Sequence, residues 1–361
     1  MVDLKNYGYT SMDLLPEGSI AGRIIEFRRS QYTVITKHGE VNAVLKGTFI
    51  HGAAVRADLP CVGDFVLLQY NDSGVSRITE VLPRHSKFSR SDFSGHGFAH
   101  VKANREQIVA VNFDYVFIIT SLNRDFRLNR ILRYVTQARC SGGQPIVILT
   151  KADLTDDFSP QVNEVREAIP DISIHAISSH TGFGLDALDA YLQPQKTVVF
   201  LGMSGVGKSS LLNVLANKNL MEVRETRKED TSKGGHTTTH RQLFMLPSGA
   251  MVIDTPGMRE IGLFDAEESI QAEFSDVEEL FTQCRFSDCK HQTEPGCAVQ
   301  NALTTGLLLQ SRWQQYLIQK REDRYVDDKS AVLRERAKMH KTWKKNNKSE
   351  KKSLKNLKTS N

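Results

Sequence analysis

The chain has 361 residues, 40% of them hydrophobic and 25% charged, with a formal net charge of +5. This is the balance of a globular protein long enough for two or three domains with real cores. Apolar runs such as Val116–Ile119 and Ile146–Leu149 are too short to span a bilayer, and no secretory leader is apparent near Asp3, so a cytoplasmic address without a membrane partner is expected.

Residues 17–82 alternate short β-rich runs with Gly, Asn and Asp turns. The candidate strands are 19–25, 32–35, 40–45, 64–68 and 75–78. Five strands of this size predict a small antiparallel barrel over 1–85, OB-like or SH3-like, and strand pattern alone does not separate the two. Residues 86–105 are polar and Gly-rich and read as a linker.

Within the domain expected over 106–264, the texture from 113 on becomes that of a mostly parallel sheet covered by helices. Strands are expected at 115–120, 146–150, 172–177, 198–201, 243–245 and 251–253, with amphipathic helices at 128–138, 162–169 and 185–192. Residues 265–330 read as a helical, metal-binding unit with helices over 266–281 and 305–326. The last 42 residues, from Lys320, hold fifteen Lys or Arg and six Asp or Glu, a balance of +9. The rest of the chain is then at 5 − 9 = −4. Residues 331–361 are expected to form a disordered basic tail suited to a polyanionic partner.

Four motifs carry phosphate chemistry. Gly202-Met203-Ser204-Gly205-Val206-Gly207-Lys208-Ser209, between a strand and a helix, is a phosphate loop. Its glycines let backbone N–H groups curl around phosphates, Lys208 reaches the β/γ oxygens, and Ser209 offers a hydroxyl to Mg²⁺, with Ser210 beside it. Asp254-Thr255-Pro256-Gly257 follows an apolar run. Its Asp can hold Mg²⁺ through water, and Gly257 lets an N–H approach the γ-phosphate. Thr237-Thr238-Thr239 is the natural switch, with Thr238 the expected second Mg²⁺ contact. Thr150-Lys151-Ala152-Asp153 ends a strand, and a carboxylate there accepts two hydrogen bonds from the guanine N1–H and amine, a donor pair adenine lacks. That pair disfavours an ATPase or small-molecule kinase. Ser178-Ser179 stands where a backbone N–H would meet the guanine O6.

A GTPase ordinarily runs phosphate loop, switch threonine, Asp-x-x-Gly, base reader. Here the base reader comes first, so 106–264 reads as a circularly permuted GTPase domain. The cut makes Asp254–Gly257 run almost directly into the C-terminal unit, and the barrel is expected to enter from the base-reading side. Met258 stands where many GTPases have a Gln that orients the attacking water, and it cannot hydrogen-bond as Gln does. His236 is the nearest candidate for that task.

Cys284, Cys289, His291 and Cys297 form a compact Cys₃His set. Three thiolates and an imidazole complete a tetrahedral zinc site with no open position, which implies one structural ion. Cys61 and Cys140 read as inert core thiols, and His175 and His240 as ordinary polar residues.

Together these residues resemble the circularly permuted ribosome small-subunit-dependent GTPase A family (RsgA/YjeQ-like). The segments 235–241 (Gly-His-Thr-Thr-Thr-His-Arg) and 253–260 (Ile-Asp-Thr-Pro-Gly-Met-Arg-Glu) look particularly like it. The resemblance covers nearly the whole chain. It implies a monomer that binds the 30S subunit and 16S rRNA, assists late subunit maturation, and hydrolyses GTP to GDP when the subunit stimulates it. A competing expectation is an RNA-binding module holding GTP as a slowly hydrolysed ligand. Thr150 for Asn and Gly235 for Arg depart from the family pattern, the first predicting modestly weaker nucleotide affinity.

Overall fold

The computed structural model describes residues 1–10, 15–28, 31–52, 58–91, 106–123, 126–220, 241–254, 270–271 and 273–321. All five barrel strands form: β1 (Ser19–Arg28), β2 (Gln31–Thr36), β3 (Gly39–Leu45), β4 (Phe65–Gln69) and β5 (Ser76–Val81), with α1 (Gly47–Gly52) between β3 and β4. Their order is β1-β2-β3-β5-β4, and β4 returns to pair with β1. β3 and β5 are parallel, the other neighbours antiparallel. That order decides for the OB-like barrel. Ile24, Val34, Val66, Leu68 and Ile78 fill it and are fully buried. Gly22 permits the closure, because a Cβ there would lie 2.6 Å from Val34 and 2.9 Å from the Ile35 carbonyl.

Residues 87–91, placed in the connector by sequence, form strand β6 (Lys87–Ser91), hydrogen-bonded to β7 (Glu106–Val111). Phe88 is the one large apolar residue of β6 and is fully buried. One apolar residue among polar ones gives no alternation to detect, so pairing with β7 supplies the strand. The intervening 92–105 lie outside the described residues.

Five parallel strands make the central sheet: β8 (Tyr115–Ser121), β9 (Gln144–Thr150), β10 (Ser173–Ala176), β11 (Thr197–Leu201) and β13 (Met251–Asp254). Antiparallel β12 (Gln242–Met245) pairs with β13, giving the order β10-β9-β8-β11-β13-β12. Alternate residues face two cores. Val116, Ile118, Val147 and Leu149 pack with α2 (Leu128–Cys140), α3 (Ser159–Ala168) and barrel residues. Phe117, Ile119, Ile146 and Ile148 pack with α4 (Lys208–Leu215) and Leu188 on the other face. The helix expected at 185–192 is only a 3₁₀ turn, Asp186–Leu188. Gly184 at φ +68° and Pro194 confine it to a stretch too short to sustain an α-helix.

The C-terminal unit contains α5 (Ser275–Phe281), α6 (Ala298–Thr305) and a helix over 310–321. The expected single helix from 305 is broken because Gly306, at φ +76°, caps α6. Trp313, Tyr316, Phe274 and Val277 form its core. It docks on the helices beneath β8 to β10. Gln319 Nε2 donates to Thr136 Oγ1 at 2.7 Å, Gln315 to the Ala168 carbonyl, and Arg139 bridges Glu273 at 2.7 Å and Asp171 at 2.8 Å.

The barrel joins the opposite edge. β1 pairs with β12 through Glu26 and Gln242, fusing barrel and core into one eleven-stranded sheet. The barrel is therefore not on the base-reading side as expected but on the edge beyond β13, and the helical unit docks on α2 and α3. No helix among the described residues is long and apolar enough to cross a membrane.

Candidate functional site

Parallel strands deliver ligand-binding groups at their carboxyl ends, where loops and helix N-termini gather. β11 ends at Leu201 and feeds the phosphate loop. Gly202 takes φ +153° and approaches β8 so closely that a Cβ would lie 2.2 Å from the Ile119 carbonyl. Val206 is buried and pins the loop, while Ser204 and Gly205 are exposed. Gly207, at φ +102°, caps α4 and turns the chain into the helix. Lys208 Nζ donates to the carbonyls of Gly202 at 2.6 Å and Met203 at 2.8 Å, which holds the ammonium across the loop. Ser209 and Ser210 occupy the first turn of α4, half-buried. That turn is a helix N-terminus, whose first N–H groups have no acceptor within the helix itself and whose positive end suits phosphate.

Asp254 ends β13, opposite Phe200 of β11, and is buried. The phosphate loop begins two residues after Phe200, so β13 brings Asp254 to the same end of the sheet. Thr237, Thr238, Thr239, His236, Gly257 and Met258 lie outside the described residues.

The base-reading segment ends the next strand but one. Thr150 Oγ1 donates to the Val206 carbonyl at 2.5 Å, with the Thr120 carbonyl at 3.2 Å. Lys151, in the left-handed region at φ +62°, reaches the Gly205 carbonyl at 2.8 Å. The departure from Asn thus leaves the base reader tied to the phosphate loop. The Ala152 N–H donates to the Ile177 carbonyl at 3.1 Å, which seats Asp153 in a 3₁₀ turn.

Ser178 takes a different part from the one its position implied. Its N–H donates to the Phe183 carbonyl at 2.9 Å, so it does not face the base. Its hydroxyl donates to Asp153 Oδ1 at 2.5 Å and accepts the N–H groups of His180 and Thr181 at 3.2 and 3.1 Å. Ser178 therefore aims the Asp153 carboxylate, a role that strand pattern and spacing did not signal. Ser179, half-buried, follows it in the same loop.

The Cys₃His residues come together as a second site. The ligand atoms of Cys284, Cys289, His291 and Cys297 lie within 4.8 Å of one another. His291 Nδ1 is 3.5 Å from Cys284 Sγ and 3.6 Å from Cys297 Sγ, and those sulfurs are 4.0 Å apart. A tetrahedral zinc with ordinary bond lengths needs edges of about 3.6 Å between S and N and about 3.8 Å between sulfurs. The set fits. Burial holds the His291 imidazole below its usual pKa, favouring the neutral form a metal needs. Phe281 stacks on the ring at 4.2 Å, and Glu294 accepts N–H groups from Lys290, Gln292 and Thr293 to shape the loop.

Cys61 is a buried thiol as expected, whereas Cys140, at the end of α2, is exposed. His175 pairs with the Tyr191 hydroxyl at 3.0 Å. His240 lies outside the described residues.

Comparison with known proteins agrees with this geometry. The profile of the RsgA GTPase family matches residues 81–264. Small ribosomal subunit biogenesis GTPase RsgA 1 of Listeria innocua is 44% identical over 326 residues, 89% of this chain and 90% of its own. RsgA 2 of Lactiplantibacillus plantarum is 40% identical over 348 residues, 95% of each chain. The crystal structure of YjeQ from Thermotoga maritima superposes with a TM-score of 0.60 at 27% identity, over 84% of this chain and 98% of its own. YloQ, described as a circularly permuted GTPase, gives 0.58 at 25% identity, over 85% and 96%.

Proposed function

The chain belongs to the RsgA GTPase family, and from that premise we propose that it hydrolyses GTP on the 30S ribosomal subunit during late maturation, the subunit stimulating hydrolysis and hydrolysis timing release. The observation that carries this reading is the tie between Thr150 and Val206, which makes base reader and phosphate loop one site.

In this reading Asp153, aimed by Ser178, accepts the guanine N1–H and amine. The Ser179 N–H faces O6, and the aliphatic stem of Lys151 lies along the base. The backbone of 202–207 wraps the phosphates, and Lys208 turns from the loop carbonyls to the β/γ oxygens. Ser209, Thr238 and water held by Asp254 would coordinate Mg²⁺, which offsets charge developing on the phosphoryl oxygens. The Gly257 N–H meets the γ-phosphate, and His236 orients the attacking water in place of the glutamine that Met258 replaces.

The Cys₃His site would hold one structural zinc, and the barrel, helical unit and basic tail would hold 16S rRNA. The division into 1–85, 86–105, 106–264, 265–330 and 331–361, the monomeric state and the cytoplasmic address belong to the same proposal. GTP turnover measured with and without 30S subunits tests it. A rise of orders of magnitude is expected, and no rise favours an RNA-binding module that carries GTP as a ligand.

Asp153→Asn tests the base assignment separately. The amide offers a donor where guanine needs a second acceptor, leaving buried polar groups unmatched. Competition binding should show GTP affinity falling by at least about 100-fold, with xanthosine triphosphate, which has a carbonyl in place of the amine, gaining affinity. Unchanged preference for GTP would remove Asp153 from the base pocket.

A further inference from the structure

One transverse row of the sheet runs from the barrel to the phosphate loop. Glu26 of β1 lies opposite Gln242 of β12, Gln242 opposite Asp254 of β13, and Asp254 opposite Phe200 of β11, two residues before Gly202. The same β1 strand reaches the other end of β13, where Arg23 Nη1 approaches Met251 Sδ at 3.2 Å. Strand β12 thus has the nucleotide-bearing β13 on one side and the barrel on the other.

Immediately ahead of β12 stands Arg241, two residues after Thr239 in the chain. Its Nη1 donates to the Ile108 carbonyl of β7 at 2.8 Å and lies 3.9 Å from Cys61 Sγ, just before β4 of the barrel. That thiol in turn meets the Val109 carbonyl at 3.5 Å. Arg241 therefore clasps the start of β12 to the junction of barrel and β7. A hydrogen-bonded sheet is stiff across its strands, so a shift of the barrel at β1 displaces β12 and β13 together.

We infer that Arg241 is a positioning residue for hydrolysis. It fixes the start of β12 against the barrel, so that how the barrel is held by its partner sets where Asp254, opposite Gln242 of β12, stands during hydrolysis. The inference rests on the GTPase reading above. Ground-state GDP binding, made by 150–153 and 202–210, does not depend on this clasp, and hydrolysis does.

The test compares wild type, Arg241→Ala, Arg241→Gln and Arg241→Lys for GDP affinity, single-turnover GTP hydrolysis with 30S subunits, and thermal melting. For Arg241→Ala, GDP affinity should hold within about twofold while stimulated hydrolysis falls between about threefold and thirtyfold. Arg241→Lys, which keeps a donor for the Ile108 carbonyl, should recover part of the rate. Loss of rate in step with lost GDP affinity or folded protein would make Arg241 a plain structural clamp and overturn the inference, as would an unchanged rate. If Arg241→Ala fails to fold, the Gln and Lys variants carry the same comparison. Wild type that hydrolyses no GTP under any condition would instead sink the GTPase reading, a different outcome.

Discussion

If the Cys₃His site holds the proposed zinc, strong chelation or Cys297→Ser should unfold the C-terminal unit and leave the nucleotide-binding core folded. Cys297 plays two parts: its Sγ is one of the four clustered candidate ligand atoms, and it accepts the Gln300 N–H at 3.5 Å as the N-cap of α6. The unit has only nine buried core residues among those described, and two of its helices are seven and eight residues long. Helices that short do not persist without tertiary support. Structural zinc binding contributes about 10–16 kcal/mol in small zinc-dependent folds, more than such a core can replace.

Trp313 packs at 6.0 Å from His291 and 5.6 Å from Tyr316, so its fluorescence reports on the site directly. With Trp343→Phe to leave one reporter, chelation should red-shift the emission and abolish amide protection over 298–305. GDP should still bind. Retained protection in the metal-free protein would show that the cluster is not what holds the unit together.

Arg23→Met should destabilise the protein by about 3–5 kcal/mol, a large effect for a residue far from the phosphates. Arg23 is buried to 1% exposure on β1, and among the described residues its oxygen acceptors are carbonyls, not carboxylates. Its guanidinium donates to the carbonyls of Tyr7 at 2.6 Å, Gly63 at 3.2 Å and Asn112 at 2.7 Å, and covers the Phe65 ring at 4.9 Å. Burial lowers its pKa to about 10, with Asp114 and Asp64 opposing the fall, so it remains charged at neutral pH.

Methionine removes every donor. Asn112 Nδ2 still serves the Gly63 carbonyl at 3.2 Å, but the Tyr7 and Asn112 carbonyls lose the Arg23 donors. Urea unfolding should show the loss, and Arg23→Lys should recover less than half because one ammonium cannot span three diverging acceptors. A variant within 0.5 kcal/mol of wild type would mean that barrel and core do not depend on this residue.

The five barrel strands were legible because each is flanked by turn residues and carries enough β-branched or apolar side chains. β6 was not, because Phe88 alone gave it no period. The 185–192 segment misled in the other direction: its leucines have helical spacing, yet the loop between β10 and β11 holds them in a short 3₁₀ turn. In the nucleotide site the glycines, lysines and carboxylates were visible by type and spacing. The tasks of Thr150 and Ser178 were not, since a hydroxyl's partner is chosen by which backbone passes within hydrogen-bonding distance.

The sequence by itself determined which chemical groups this protein has and in what order: a phosphate-loop motif, a carboxylate in the proposed base-reading segment, a permuted motif order and a Cys₃His set. These rest on residue identity and local spacing, and local geometry suffices to build them. Only the tertiary structure decided where the flanking units attach. Chain order suggested that the barrel would enter from the base-reading side, whereas β1 pairs with β12 on the far edge and the last helices dock on α2 and α3. Adjacency along the chain is limited only by connector length, whereas adjacency in space follows complementary surfaces. Strand β12 left an edge that β1 could pair, and α2 and α3 offered Thr136, Arg139 and the Ala168 carbonyl to the last helices.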